Sequence, residues 1–218
     1  MKQNIAVLFD MDGVLVDNHE FHYQSWVEFC KAHDISMDRE KFLTFFGSSS
    51  KETIEGLFGR ELPDKLIKDY ASEKEEIYRK LFKPHIKLVR GLKEFLDDLK
   101  NEGIETAIAT SAPLINAKFV VNETGIEEMF KTIVHDAHFQ KGKPDPEVYL
   151  KAAGMLGYKP SNCLVFEDSV QGIEAAQRAG MRVVGVATTN PPEKINHTHK
   201  VIRDFTEITL EDVYAIMA

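Results

Sequence analysis

Cysteine is scarce in this chain, which has only two among 218 residues. Cys30 and Cys163 lie far apart in the sequence, each beside apolar neighbours, and neither belongs to a C-x-x-C pair. A framework of disulfides is therefore excluded, and a zinc site built on paired cysteines is disfavoured. We expect both side chains to be small buried hydrophobes in a reducing compartment.

Long apolar runs are also missing. No stretch approaches the roughly 20 apolar residues that span a bilayer. The first residues, MKQNIAVLFDMDG, resemble neither a secretory signal nor an Arg-rich transit peptide. We therefore expect a cytoplasmic protein with no membrane partner.

The chain lacks an excess of basic residues. Its 27 Lys and Arg stand against 35 Asp and Glu, which gives a formal net charge of −8. Because binding to a phosphate backbone needs a basic face, this balance argues against a nucleic-acid partner. We expect a monomer whose partner is a small molecule. An anionic substrate would need a local cationic group or a metal.

Short apolar runs recur along the chain without the alternation of a half-exposed strand. Such runs are typical of strands that are buried on both faces of a parallel sheet. They lie at residues 4–9 (NIAVLF), 105–110 (ETAIAT), 132–135 (TIVH), 163–166 (CLVF) and 182–186 (RVVGV), with a weaker run at 200–202.

Helical patterns separate these runs from about Lys87 onward. Leu92, Phe95, Leu96 and Leu99 recur at helical spacing and stop before Gly103. Asp145-Pro146 predicts an N-cap followed by proline at the first helical position. Strand and helix therefore alternate, which predicts an α/β fold with a doubly wound, Rossmann-like parallel sheet. We expect the Pro191-Pro192 region and residues 197–200 (HTHK) to form a surface loop.

Residues 18 to about 84 interrupt the alternation, because they contain no buried strand run. They contain two helical stripes instead, one from Tyr23 to Cys30 and one from Leu66 to Leu81. We interpret this stretch as a helical insert after the first strand. The predicted domains are a catalytic core of residues 1–17 and 87–218 and an inserted unit of residues 18–86.

Polar side chains follow three of the predicted strands at the point where each strand ends. In open α/β sheets ligands bind beyond this edge. The residues are Asp10 and Asp12 after the first strand, Thr110 and Ser111 at the end of the second run, and Glu167, Asp168 and Ser169 after the CLVF run.

The segment Asp10-Met11-Asp12-Gly13 taken alone is equally typical of a turn. However, Asp10 directly continues a buried strand, where an uncompensated carboxylate is costly. Two like charges about 4 Å apart repel by roughly 4 kcal/mol at an effective dielectric constant of 20. Convergence of Asp10, Asp12 and Asp168 therefore favours a divalent cation, and oxygen ligands suit Mg²⁺.

Lys143 lies in the segment GKPDPEVY, ahead of a predicted helix. A lysine in a loop is usually solvated. Its position between the strand that ends at Thr110 and the strand that leads to Asp168 favours a role facing phosphate instead.

Four segments together resemble the four motifs of the haloacid-dehalogenase-like phosphohydrolase superfamily. They are FDMDGVLVD at 9–17, IATS at 108–111, KPDPEVY at 143–149 and VFEDSVQGIEAAQRAG at 165–180. The resemblance covers nearly the whole chain, and the helical insert is similar to the small helical cap of that superfamily. Within the superfamily the chain resembles β-phosphoglucomutase and its phosphatase relatives.

The resemblance implies that Asp10 is the nucleophile that takes a phosphoryl group. It also implies that Asp12 protonates the leaving oxygen and then acts as base for the attacking water. Thr110, Lys143 and the backbone N–H of Ser111 match the positions that bind the phosphoryl group. An acid at position 12 disfavours dehalogenation, because the related dehalogenases lack one there.

The resemblance further implies Mg²⁺ as the cofactor. Asp10 and Asp168 match metal ligands, and the main-chain carbonyl of Asp12 matches a third. Glu167 matches a position that ligates or supports the metal.

The substrate depends on the cap in this resemblance. Residues 46–51 (FGSSSK) resemble the loop that supplies an arginine for the second phosphate in the mutase, and ungapped alignment places Ser50 at that position. Residues 112–114 (APL) are apolar where the mutase has polar side chains. We therefore favour a phosphatase that acts on a small phosphorylated metabolite. A phosphomutase, a pyrophosphatase and a non-catalytic regulator that binds Mg²⁺ or phosphate are the alternatives.

Two further cap residues complete the predicted substrate-binding set of Ser50, Ser111, His22 and Lys74. His22 lies about one helical turn beyond the linker, from which a histidine can reach Asp12 or the substrate. Lys74 lies on the apolar stripe of the last cap helix. It either rests its aliphatic stem on the core with its ammonium free or faces the substrate.

Overall fold

The computed structural model describes residues 4–45 and 49–218. The chain divides into two compact units, one formed by Met1–Asp17 with Lys87–Ala218 and the other by Asn18–Ile86. The strands are β1 (Ala6–Phe9), β2 (Glu105–Ala109), β3 (Thr132–Val134), β4 (Cys163–Glu167), β5 (Arg182–Val186) and β6 (Lys200–Ile202). The helices are α1 (His19–Ala32), α2 (Arg39–Thr44), α3 (Ser50–Phe58), α4 (Asp64–Phe82), α5 (Leu92–Glu102), α6 (Leu114–Thr124), α7 (Glu147–Leu156), α8 (Val170–Arg178), α9 (Pro192–Ile195) and α10 (Leu210–Met217).

The first unit is built on a parallel sheet of six strands in the order β3-β2-β1-β4-β5-β6. The predicted doubly wound α/β fold is therefore confirmed. Because β1 pairs with β2 on one side and β4 on the other, the chain reverses its direction of winding at β1. Ligand sites in such sheets lie at this switch point, beyond the carboxyl ends of the strands.

Side chains of alternating strand positions form the core on the two faces of the sheet. On one face, Ala6 and Leu8 of β1 pack in a cluster with residues of α7 and α8. On the other face, Phe9 stacks on Phe166 with ring centroids 5.1 Å apart, and Phe95 of α5 meets both rings edge-on. Helices therefore cover both faces, which explains why the strands are apolar without alternation.

Several predicted boundaries are wrong by a residue or two, at the ends of β2, β3 and β4 and at the starts of β1 and α7. The ladder of β1 begins at Ala6, which pairs with Glu105 and Cys163, so Asn4 and Ile5 precede the strand. The N-cap of α7 is Pro146, where Asp145 was predicted. Asp145 still satisfies the helix end, because its Oδ1 accepts from the Glu147 backbone N–H at 3.1 Å.

The surface loop predicted at Pro191-Pro192 and at residues 197–200 is wrong in part. Residues 192–195 form the short helix α9, which begins with a proline, and Ile195 is fully buried in the core. Lys200 already belongs to β6. The prolines suggested a loop, but a proline at the first helical position also starts a helix.

The second unit is helical, as the insert was predicted to be. Helices α1 and α4 pack against each other, and α3 packs on α4. Phe29, Cys30 and Leu57 form one buried cluster, and Ile54, Leu62 and Ile67 form another. None of the helices in the described part of the chain combines the length and the apolar character that crossing a membrane requires.

Candidate active site

Asp10 stands directly at the carboxyl end of the central strand. Its backbone N–H donates to the carbonyl of Phe166 at 3.0 Å, which holds it beside β4, and its side chain is buried. The chain then turns sharply, because Gly13 has a φ of +78° and its N–H donates to Val16 O at 2.8 Å. This turn places Asp12 close enough to raise the pKa of Asp10 by charge repulsion.

Lys143 forms ion pairs with a carboxylate of the first motif and a carboxylate of the fourth motif. Its Nζ donates to Asp10 Oδ1 at 2.7 Å and to Glu167 Oε1 at 2.5 Å. The ammonium also lies 5.0 Å from the centre of the Tyr149 ring, within the range of a cation–π contact. The predicted position of Lys143 between two strand ends therefore corresponds to a buried ion-pair network, and a solvated loop lysine is ruled out.

Glu167 is fully buried and has two donors on each carboxylate oxygen. Oε1 accepts from Lys143 and from the Tyr149 hydroxyl at 3.1 Å. Oε2 accepts from the backbone N–H and the hydroxyl of Ser169 at 2.7 and 3.0 Å. A carboxylate offers about four acceptor positions. These donors occupy them, so the geometry favours a supporting role for Glu167 over direct metal ligation.

Asp168 approaches the turn that follows Asp10. A Cβ atom at Gly13 would lie 2.1 Å from Asp168 Oδ2, so this turn needs glycine both for its positive φ and for the space. Oxygen atoms of Asp10, Glu167 and Asp168 all lie within 4.8 Å of one another. The structure therefore brings together three of the four residues that were predicted around the metal. Asp12 was predicted to contribute its main-chain carbonyl.

The electrostatics of this cluster are unbalanced in the protein alone. Burial, together with the charges of Glu167 and Asp12, raises the pKa of Asp10 to about 7 against the lowering effect of Lys143. Burial, Glu167 and Asp10 raise the pKa of Asp168 well above its usual value. The positive charge of Lys143 is thus shared among several carboxylates, and a divalent cation would neutralise the remaining negative charge.

Glu167 and Lys143 shift in the opposite sense to the two aspartates. Burial would raise the pKa of Glu167, but Lys143 and the Ser169 hydrogen bonds outweigh burial and hold it below its usual value. Burial likewise would lower the pKa of Lys143, but Asp10 and Glu167 raise it well above its usual value. Glu167 and Lys143 are therefore a charged pair at neutral pH.

The second predicted motif lies at the end of the neighbouring strand. Thr110 is buried, its backbone N–H donates to Val134 O at 3.0 Å, and its Oγ1 accepts from the Ala112 backbone N–H at 3.0 Å. Ser111 is exposed between these anchored residues. Because β2 pairs with β1 in parallel, both residues lie at the same edge of the sheet as Asp10.

Several residues of this region escaped the prediction from sequence. Tyr149, which donates to Glu167, was not predicted as a site residue, although it falls inside a quoted motif. Ser169 was predicted only as a polar residue at the strand end, and the structure shows it as the other donor to Glu167. Thr189 and Asn190 follow β5 and bind Asp168 through its carboxylate and its carbonyl. The only signal for them was that they too follow the end of a buried strand.

The helical unit brings two of its predicted residues together. Lys74 Nζ donates to His22 Nδ1 at 3.0 Å, and the His22 ring stacks on Tyr78 at 4.1 Å. Lys74 is buried and also pairs with Glu75 Oε1 at 2.9 Å. The expectation of a free ammonium is therefore wrong, because burial leaves the charge no access to water and it takes partners within the unit.

Ser50 is the first residue of α3 and is exposed. Ser49 caps this helix in a capping box with Glu52, so the helix begins in the serine run. The Nζ atom of the neighbouring Lys51 lies 3.7 Å from Asp64 Oδ1, on the surface of the same unit. Residues 46–48 of the predicted loop lie outside the described residues.

The chain matches known proteins over nearly its whole length. The family model described as "Haloacid dehalogenase-like hydrolase" matches residues 7–186. The chain is 33% identical to the β-phosphoglucomutase of Bacillus subtilis over 94% of this chain and 92% of that protein. It is 31% identical to a phosphorylated carbohydrates phosphatase of Thermotoga maritima over 83% and 84% of the two chains.

Solved structures agree with these matches. A HAD hydrolase, family IA, variant 3 from Entamoeba histolytica superimposes with a TM-score of 0.90 at 34% identity. The superposition covers 98% of this chain and 99% of that one.

Proposed function

This chain belongs to the haloacid dehalogenase-like hydrolase family, and on that premise we propose that it is a Mg²⁺-dependent phosphatase of small phosphorylated metabolites. The observation that carries the proposal is the contact of Lys143 Nζ with Asp10 Oδ1 inside a buried cluster of carboxylates. This arrangement puts a nucleophilic carboxylate beside a cation that can bind the phosphoryl oxygens.

The donor set of the site fits a hard divalent cation. Asp10 and Asp168 offer carboxylate oxygens, and a site of oxygen ligands with few protein groups suits Mg²⁺. Asp10, Asp168 and the main-chain carbonyl of Asp12 would hold the ion, and Glu167 would support it through Lys143. When bound, the ion neutralises charge on the phosphoryl oxygens and on the attacking carboxylate.

In the first chemical step an Asp10 carboxylate oxygen attacks phosphorus and the ester P–O bond breaks. Asp12 gives its proton to the departing alkoxide, which leaves as an alcohol. The product on the enzyme is an aspartyl phosphate. Lys143, Thr110 and the Ser111 backbone N–H hold the phosphoryl oxygens during the transfer.

In the second step Asp12, now a carboxylate, takes a proton from water. The water oxygen attacks phosphorus, the bond between phosphorus and the Asp10 oxygen breaks, and phosphate leaves. Asp12 ends the cycle protonated and Asp10 ends it as a carboxylate. The two residues thus divide the work of nucleophile and proton carrier.

The experiment is a phosphate-release assay over a panel of phosphorylated metabolites and pyrophosphate with Mg²⁺ present. We expect turnover of at least one phosphomonoester, loss of turnover in excess chelator, and loss in Asp10→Asn. Asp97→Asn is the matched control, because it makes the same change in a surface ion pair with Lys93 on α5. Phosphate release by Asp10→Asn would exclude Asp10 as the nucleophile, and a panel with no turnover would favour the binding regulator.

The similarity to β-phosphoglucomutase supports a phosphomutase as the second candidate. Such an enzyme must hold a bisphosphorylated intermediate at both ends. The short neutral side chain of Ser50 and the apolar residues 112–114 disfavour this grip on a second phosphate. A cytoplasmic location and a monomeric state stay predictions.

A further inference from the structure

The segment of residues 188–190 follows β5 and carries three consecutive polar side chains, Thr188, Thr189 and Asn190. All three side chains bind the two turns that carry the acidic residues of the site. The Thr188 hydroxyl donates to the carbonyl of Gly13. Thr189 binds the Asp168 carboxylate through its hydroxyl, and Asn190 Nδ2 donates to the Asp168 backbone carbonyl at 3.0 Å.

The side chains of Asp168 and Thr189 both lie against Gly13. A Cβ atom at Gly13 would lie 2.1 Å from Asp168 Oδ2 and 2.8 Å from Thr189 Oγ1. The Thr189 hydroxyl therefore lies beside both the turn after Asp10 and the Asp168 carboxylate.

The Asp168 carboxylate needs such a hold for an electrostatic reason. It is buried within 4.8 Å of two other carboxylates, Asp10 and Glu167, which repel it. Lys143 binds those two carboxylates directly. Neutral donors on Asp168 fix its direction without adding a positive charge that would compete with a metal.

We propose that residues 188–190 are a positioning element of the metal site, in which Thr189 and Asn190 orient Asp168 and Thr188 fixes the turn after Asp10. This inference rests on the proposed function, because it assumes that Asp168 ligates the ion. Partners that orient a metal ligand contribute to metal affinity, and their removal typically weakens it about 10- to 100-fold.

The test compares Mg²⁺ binding by thermal unfolding, with the ion titrated into metal-free protein. Binding to the folded state stabilises by RT ln(1 + [Mg²⁺]/Kd), so the rise of the unfolding temperature with Mg²⁺ concentration gives an apparent Kd for each variant. Thr189→Val keeps the shape of the side chain and removes the hydroxyl. We expect it to raise the apparent Kd for Mg²⁺ about tenfold or more. Thr189→Ser restores a hydroxyl and should stay within about threefold of the wild type.

The matched control is Thr198→Val. The Thr198 hydroxyl donates to the carbonyls of Ile195 and Lys200 in the next part of the same connection, away from the carboxylates. This variant should lower the unfolding temperature of the metal-free protein and leave the apparent Kd for Mg²⁺ unchanged. A loss of packing alone would move both valine variants alike.

An apparent Kd of Thr189→Val equal to that of the wild type, in a protein that does respond to Mg²⁺, would overturn this inference and leave the proposed function standing. A wild-type protein without any response to Mg²⁺ would overturn both. If Thr189→Val does not fold, Asn190→Ala removes the hydrogen bond to the Asp168 carbonyl and is judged by the same apparent Kd.

Discussion

The carboxylate of Glu167 occupies the space in which any side chain at Gly172 would begin. A Cβ atom on Gly172 would lie 1.6 Å from Glu167 Oε1, which is far inside the contact distance of real atoms. Gly172 is the third residue of α8, and Ser169, which caps that helix, also donates to Glu167. The start of α8 and the Glu167 carboxylate therefore fit together only with glycine.

Gly172→Ala should destabilise the protein and lower its activity by an order of magnitude or more. In an ordinary helix this change stabilises by up to about 1 kcal/mol, because alanine has the higher helix propensity. Here the added methyl group must displace Glu167 and, through it, Lys143. Thermal unfolding and phosphate release measure the two effects.

Gly154→Ala is the control for this prediction. Gly154 lies in α7, and a Cβ atom there would meet nothing within 4 Å. This variant should be as stable as the wild type or slightly more stable, with unchanged activity. If both glycine variants behave alike, the close packing of Glu167 on Gly172 has no functional weight.

Asp12→Ala should separate substrates by their leaving groups. Alkyl phosphates have basic leaving oxygens that need a proton, so their turnover should fall by about 10²- to 10⁴-fold. An aryl phosphate leaves without that proton and should lose much less in the first step. Because Asp12 also serves the second step, which is common to both substrates, kcat/KM is compared for one substrate of each kind, since it reports the first phosphoryl transfer. Equal losses of kcat/KM on both would contradict an acid role for Asp12.

The stability of the metal-free protein should fall as pH rises from about 5.5 to 8. The pKa of Asp10 is raised to about 7 and that of Asp168 well above its usual value. The folded state therefore holds protons that the unfolded chain has already released, and this contribution is lost as the pH rises through the folded pKa. We expect the unfolding temperature in excess chelator to fall by about 3 °C or more, since ~1 kcal/mol shifts it by roughly 2–4 °C at this size.

Two comparisons check the origin of that pH dependence. Asp10→Asn removes one of the raised carboxyls, so its unfolding temperature should change less with pH than that of the wild type. Mg²⁺ should stabilise the wild type more at pH 8 than at pH 6, because its ligands must be deprotonated. An unfolding temperature that rises over this range would show that the raised pKa of Asp10 does not govern stability.

Ser50→Arg tests the choice between hydrolase and mutase. The unmodified protein should hydrolyse its substrate and should not convert β-glucose 1-phosphate to glucose 6-phosphate efficiently, even when primed with glucose 1,6-bisphosphate. A guanidinium at position 50 should tighten the binding of bisphosphorylated sugars, since bidentate arginine–phosphate contacts are strong. Product analysis by NMR and competitive inhibition by the bisphosphate measure these outcomes, with Ser50→Ala as the uncharged control. Efficient isomerisation by the wild type would favour the mutase.

The strands of the sheet were predictable because burial on both faces leaves an apolar run in the sequence. The run at residues 182–186 coincides with β5, and the weak run at 200–202 coincides with β6. The first and last residues of the strands were less predictable. Ile5 is as apolar as the strand it precedes, and only the pairing of Ala6 with Glu105 and Cys163 decides where the ladder begins.

The charged groups of the site were predictable as a set, but their partners were not. Asp10, Lys143 and Asp168 follow strand ends or precede a helix, and the topology of the sheet brings such positions together. A free ammonium was one of the two possibilities for Lys74, because its partner His22 is 52 residues away in the sequence. Thr189 resembles any loop threonine, because its role depends on which turn lies opposite, and that is a property of the folded sheet.

The central position of β1 in the sheet affects how the chain folds during its synthesis. β1 can pair with β2 once residue 109 has left the ribosome, but its other edge waits for β4, which begins at Cys163. During that interval the backbone groups on this edge of an apolar strand lack their native neighbour, which is the situation that favours aggregation of unfinished chains. The nascent protein therefore exposes an edge of β1 that is buried in the finished sheet, and chaperone protection matters most between the emergence of residue 109 and the emergence of β4 from the ribosome.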